Sequence, residues 1–160
     1  MAEGPARKTT LNCTDQTREE LTLRSLLPEV ARIPPWIEEL ASRYAISANV
    51  QLAMNLCLEE VVSNVIRHGY GSRSDRFVAI RFSMPKEGYF VCLVEDDAPR
   101  FDPLTAAGLP ILSAGEKPRV GGQGIRLLRQ FADELEYEPL ATGNRLRMGF
   151  SAAGTAARMR

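Results

Sequence analysis

The segment Leu56 to Gly71, "LCLEEVVSNVIRHGYG", sets chemistry-bearing side chains into an otherwise apolar helical pattern. It holds two adjacent glutamates, an asparagine and the sole histidine of the chain. At about 100° per residue, Val50, Met54, Cys57, Leu58, Val61 and Val65 fall on one stripe, which predicts a core face. Glu60 and Asn64 are one turn apart along an edge of that stripe, and His68 continues their row. Glu59 points to the opposite side, toward solvent. Polar groups that border a core are costly unless they find partners. Two readings of Glu60 and Asn64 fit: a structural pair satisfied by backbone or an arginine, or a carboxylate and an amide suited to magnesium and general-base work. His68, at the helix end, suits capping or packing better than catalysis.

Two later segments add weaker signals. "VEDDAPRFDP" puts carboxylates directly after a buried strand. A carboxylate there can accept a hydrogen bond from an amine, such as the exocyclic amino group of adenine, or can simply form a turn. "RVGGQGI" is a glycine cluster feeding a helix N-terminus, where exposed N–H groups and the helix dipole favour phosphate. It lacks the Lys-Ser/Thr of a P-loop, and a plain flexible loop is the alternative.

The elements that must position these residues follow from pattern. Residues 1–17 are polar and aperiodic and are expected to form a loose arm. "ELTLRSLL" predicts an edge strand. A helix is expected from about Pro35 through "WIEELASRYA". Ser47 is the expected cap of a second helix, Ala48 to His68, closed by glycines. "FVAIRFSM" and "YFVCLVED" read as a hairpin about the turn "PKEG", and the continuous apolar run of the second predicts a central strand buried on both faces. The long stretch Ala98 to Val120, with four prolines and two glycines, has the length of a functional lid. "GGQGIRLLRQFAD" turns helical, and "ELEYEPL", "ATGN" and "RLRMGF" form a second hairpin. Residues 152–160 are expected to fray. The order predicts one α/β (α+β) domain over residues 18–151, a two-layer sandwich with a mixed, largely antiparallel sheet and helices on one face, not a doubly wound βαβ domain.

Composition narrows the function classes. The chain has 160 residues, 44% of them hydrophobic and 25% charged, with zero formal net charge, which argues against a general nucleic-acid binder. Cys13, Cys57 and Cys92 form no CxxC pair and read as free thiols in a reducing cytosol. No signal peptide and no membrane-length apolar run is visible, so a cytoplasmic location is expected.

The order of the three boxes resembles the Bergerat, or GHKL, ATP-binding fold. Within it the chain resembles the small bacterial anti-sigma-factor serine/threonine kinases. The N-box matches as "EVVSNVIRHGY" (Glu60 to Tyr70), the G1 box as "DDAPRFDP" (Asp96 to Pro103) and the G2 box as "GGQGI" (Gly121 to Ile125). "GNRLRM" resembles the final N-x-L strand, and the likeness covers about residues 20–150. It implies that Asn64 binds Mg²⁺ against the phosphates of ATP, that Glu60 is the general base toward a serine or threonine hydroxyl, and that Asp96 takes the adenine amino group. Gly122 and Gly124 would let the backbone approach the phosphates. The boxes also place Ala98, Phe101, Gly121 and Ile125 at the nucleotide. Leu104 to Val120 would form the ATP lid, with Lys117 and Arg119 in it. Where the family has glycine this chain has Ala98, an alanine that is strained if its backbone needs φ > 0.

The resemblance further implies an ATP:protein phosphotransferase acting on a STAS-domain anti-sigma-factor antagonist, a second role in sequestering a sigma factor, and a homodimer, without direct contact to nucleic acid or membrane. Phosphorylation adds about −1.5 to −2 charge, which would expel the antagonist and free the kinase for sigma. The alternative is an ATP-binding module that acts by sequestration alone, against which the retained Glu60 speaks.

Overall fold

The structure, a computed structural model, describes residues 18–105 and 122–158. The predicted arm (1–17), Gly121, Lys117, Arg119 and most of the predicted lid lie outside these residues. Five strands, β1 (Glu19–Arg24), β2 (Phe77–Lys86), β3 (Tyr89–Asp96), β4 (Glu134–Pro139) and β5 (Asn144–Ser151), form one sheet in the order β1-β2-β3-β5-β4. Every pairing is antiparallel, so the predicted mixed sheet proves wholly antiparallel.

The helices are α1 (Ile33–Tyr44), α2 (Ala48–Asn64), α3 (Gly122–Phe131) and α4 (Ala152–Arg158). Prolines occupy the first turn of α1, where a missing N–H costs nothing. Ala45 closes it in the left-handed conformation (φ 52°). Ser47 caps α2 as predicted, its hydroxyl accepting from Val50 N at 3.4 Å. The α2 stripe is buried as predicted at Val50, Met54, Cys57, Leu58 and Val61, together with Ala53 and Val62. It packs on one sheet face, whose core positions are Leu21, Leu23, Val78, Ile80, Phe82, Phe90, Cys92, Val94, Leu146, Met148 and Phe150. Burying each such large side chain contributes about 1.5–3 kcal/mol.

Three expectations need correction. Regular α-helix stops at Asn64, and Val65–Tyr70 form a π-helical turn instead of continuing α2 to His68. Central β3 is buried on its second face only in part, where Val91 is buried and Leu93 half-buried. Phe90, Cys92 and Val94 face the core, but Glu95 on the other side belongs to a ladder of ion pairs crossing all five strands. In strand order its members are Glu20, Arg81, Glu95, Arg145 and Glu138. Arg81 Nε meets Glu20 at 2.8 Å and Arg145 Nη1 meets Glu138 at 2.8 Å. Lastly, the segment expected to fray makes α4, with Thr155 buried. Ser151 N, just ahead of it, donates to Asp133 Oδ2 at 2.6 Å, and an alanine-rich stretch is a strong helix former.

Cys57 and Cys92 are free and buried. Burial pushes the Cys57 thiol up to about 12 and Cys92 higher still, so both are neutral core groups. Cys13 lies outside the described residues. Among the described residues no helix is long and apolar enough to cross a membrane.

Candidate active site

A cavity of about 460 Å³ opens between the end of α2, the last residues of β3, the first of β5 and the start of α3. Its wall includes Asn64, His68, Asp96, Ala98, Phe101, Gly124, Ile125, Tyr137 and Asn144. The volume is in the range of small-molecule sites. Residues from four separate stretches of sequence thus share one wall.

The two aspartates that end β3 part ways. Asp97 turns toward Tyr70 and Arg76, whose hydroxyl and guanidinium lie 2.7 and 2.8 Å from its carboxylate. Tyr70 first, then Arg76, hold the Asp97 carboxyl below the usual carboxylate range. Asp97 therefore ties the π-helical turn to the sheet. Asp96 faces the cavity and is only 9% exposed. Its Oδ1 accepts from Asn144 Nδ2 at 2.8 Å and from Ala98 N at 2.9 Å. Burial pushes its carboxyl up, against the opposing pull of the Asn144 hydrogen bond.

Glu60 and Asn64 meet as the one-turn spacing requires: Asn64 Nδ2 donates to Glu60 Oε1 at 2.7 Å. The carboxylate takes the amide nitrogen, so Oδ1 is the Asn64 atom left for a cation. Glu60 lies against Gly124 in the first turn of α3, and a Cβ at Gly124 would collide with its carboxylate. This glycine makes room for Glu60, a demand beyond the phosphate approach expected of it. Gly122 begins α3. Ile125 is buried in the cavity wall, and Phe101, 62% exposed, stands at its rim. His68 is exposed on the π-helical turn and lines the cavity. Glu59 is half-buried rather than wholly solvated.

Ala98 does not adopt positive φ, so the condition for strain there is not met. Among the described residues only Ala45 combines a side chain with positive φ. The Ala98 methyl is accommodated by Gly69 across the cavity wall, where an added Cβ would sit 2.9 Å from Ala98 Cβ.

Two residues at the cavity's inner end escaped the sequence reading as site residues. Asn144 Oδ1 accepts from Tyr137 OH at 2.8 Å and from Phe101 N at 2.9 Å. Gly143 (φ 100°) permits the tight approach, since a Cβ there would strike the Asp96 carbonyl. Asn144 carried a signal in "GNRLRM"; Tyr137 carried only the β4 alternation, which sets it on the core side.

Residues 23–150 match the model of the histidine kinase-like ATPase domain. The chain belongs to this family. The histidine kinase-like ATPase domain runs from within β1 to within β5 and leaves α4 outside the match. Among curated proteins, the chain is 28% identical over 104 residues to the serine/threonine-protein kinase BtrW of Bordetella bronchiseptica, covering 64% of this chain and 72% of that protein. It is 26% identical over 109 residues to an anti-sigma F factor of Clostridium novyi, covering 68% of each. A second anti-sigma F factor, from Priestia megaterium, is 28% identical over 81 residues, covering 51% of this chain and 55% of that protein. Among solved structures, the RsbU and RsbW domains of a Mycobacterium tuberculosis protein superpose with a TM-score of 0.56 at 14% identity, covering 83% of this chain and 32% of that one. This last likeness concerns the fold. It is the α+β ATPase architecture, with an antiparallel five-stranded sheet backed by helices.

Proposed function

We propose that this chain is an ATP-dependent serine/threonine protein kinase of the anti-sigma type, which phosphorylates a STAS-domain anti-sigma-factor antagonist and sequesters a sigma factor. The observation that carries this reading is the seating of Glu60. Its carboxylate meets Asn64 and Gly124, two residues of the wall of a cavity that the buried carboxylate of Asp96 also lines. A protein that only held ATP would have no use for a base in that position.

Asp96 accepts an N–H from the adenine amino group. Phe101, Ala98 and Ile125 supply apolar wall. Asn64 holds magnesium through Oδ1. Magnesium characteristically uses one or two protein oxygens beside phosphate and water, and Asn64 Oδ1 offers one such oxygen while its Nδ2 is held by Glu60. Bound MgATP supplies the phosphoryl group and the charge neutralisation. Gly122 offers its N–H at the start of α3 to the phosphates. Glu60 orients the incoming serine or threonine hydroxyl and takes its proton. Relatives named as a serine/threonine kinase and as anti-sigma F factors support this reading. The functional unit is a cytoplasmic homodimer that makes no direct contact with nucleic acid or membrane.

The test incubates the chain with labelled ATP, magnesium and STAS-domain antagonist proteins from the same genome. Label should appear as a serine or threonine phosphate ester, and chelating the magnesium should stop it. Tight sigma binding without any transfer would replace this reading with sequestration alone.

A further inference from the structure

We propose that Arg129 is a positioning residue for the nucleotide: it ties the far end of the loop 98–105 to α3 and so holds Phe101 and Pro103 on the cavity wall. The inference rests on the nucleotide reading above.

The loop has no helix or strand of its own, and its two ends are held differently. At its start the Asn144 side chain bonds Ala98 O, Pro99 O and Phe101 N. Past Phe101 the bonds turn local. Asp102 Oδ1 accepts from Leu104 N at 2.8 Å, and Asp102 O accepts from Thr105 Oγ1 at 3.1 Å. Such bonds shape a turn but attach it to nothing else. Among the described residues, one hydrogen bond joins residues 102–105 to another element: Arg129 Nη2 donates to Leu104 O at 3.2 Å.

Packing does not make this bond redundant. Leu104 touches the core cluster but is only half-buried, and it borders a hollow of about 270 Å³. Arg129, Ala132, Asp133 and Leu135 line the rest of that hollow. The far end of the loop thus lies beside open space at the C-terminal end of α3, and the guanidinium reaches across to it. A charged donor makes the bond stronger than a neutral one would be. The same helix carries Gly124, whose missing Cβ makes room for Glu60. Arg129 follows Gly124 by five positions, about 7.5 Å along the helix axis. α3 therefore seats Glu60 near one end and holds the loop near the other. The two tasks are separable. Loosening the loop frees Phe101 and Pro103, while Glu60 keeps its place against Gly124.

The experiment measures Kd for ATP with magnesium and for adenosine, which carries no phosphate, using the full chain. Arg129→Leu should weaken both ligands about fivefold, the size of one net hydrogen bond. Arg129→Lys keeps a charged donor on a long stem and should recover most of that loss. Asp102→Ala should weaken both ligands as well. The double variant should lose less than the product of the single losses, because both side chains act through Leu104. A melting temperature that falls while both Kd values hold marks a structural role alone and overturns the proposal. Loss confined to ATP, with adenosine unchanged, marks attraction of the charge to the phosphates and overturns it too. Circular dichroism checks folding; Arg129 is exposed, and if Arg129→Leu does not fold, Arg129→Gln takes its place. Unchanged affinities in that variant sink this inference and leave the kinase reading to its own assay. Failure of the wild type to bind ATP sinks both.

Discussion

At the scale of single residues, adjacency in sequence is a poor guide to role. Glu59 and Glu60 are neighbours, as are Asp96 and Asp97, yet in each pair one side chain meets the cavity constellation and the other does not. Helical geometry alone distinguished the glutamates, because 100° per residue separates them by nearly a third of a turn. The aspartates could be assigned from the family likeness, but the partners that hold them, Tyr70, Arg76 and Asn144, come from distant segments and left no local signal. Gly124 is likewise legible only in three dimensions. The collision of its missing Cβ with Glu60 gives a prediction: Gly124→Ala should displace the carboxylate and lower phosphotransfer by about 100-fold, the lower range of general-base contributions. The atom struck ends a flexible side chain, so thermal stability should change by less than about 1 kcal/mol. A melting curve and a transfer assay on the same preparation check both halves; full transfer in the variant would contradict the packing.

At the scale of elements, period and cap chemistry were enough to find the two hairpins, α1, the start of α2 and the α3 helix, because those signals are local. They failed where tertiary contact decided the outcome. The end of α2 widens into a π-helical turn anchored by Tyr70, whose hydroxyl lies 2.8 Å from Phe77 O and 2.7 Å from Asp97 Oδ1. Such turns often mark functional sites, and this one brings Gly69 against Ala98. Gly69→Ala should overpack that contact and destabilise the chain by about 1–3 kcal/mol, weakening nucleotide binding as the wall shifts. Adding Ala98→Gly to it should restore stability, since the methyl would only have changed sides. Denaturant titration of the single and double variants tests this; a double variant no more stable than Gly69→Ala would show that the two positions are not a complementary pair. The helix α4 was missed because an alanine-rich end looks featureless until α2, β5 and α3 give it something to pack on.

At the scale of the molecule, the sheet presents an apolar face to the helices and a face of alternating charge to the outside. The ladder's outer pairs, with Glu20 and Glu138, are exposed on their carboxylate side, where an ion pair contributes about 0–1 kcal/mol, and the buried side chains of the other face supply most of the sheet's stability. Charge still sets how the chain responds to acid. Asp97 and Glu134 have folded-state carboxyls held below their ordinary 3.8 and 4.5, chiefly by hydrogen bonds from Tyr70 and Tyr89. Their stabilisation is complete above those ordinary values and is lost as pH falls through the lowered ones. Asp96 shifts the other way, raised above 3.8 by burial, so its protonation comes first and removes the acceptor proposed for adenine. As pH is lowered, ATP affinity should therefore fail before the fold does, which parallel binding and circular dichroism titrations would reveal; simultaneous loss would contradict the assignment of Asp96. The central claim, that Glu60 acts as base in phosphotransfer, is tested most directly by comparing Glu60→Gln with Glu59→Gln in transfer of labelled phosphate from ATP to the antagonist. Glu60→Gln should keep ATP binding and lose transfer by about 100-fold or more, while Glu59→Gln stays near wild type. Undiminished transfer by Glu60→Gln would contradict the claim outright.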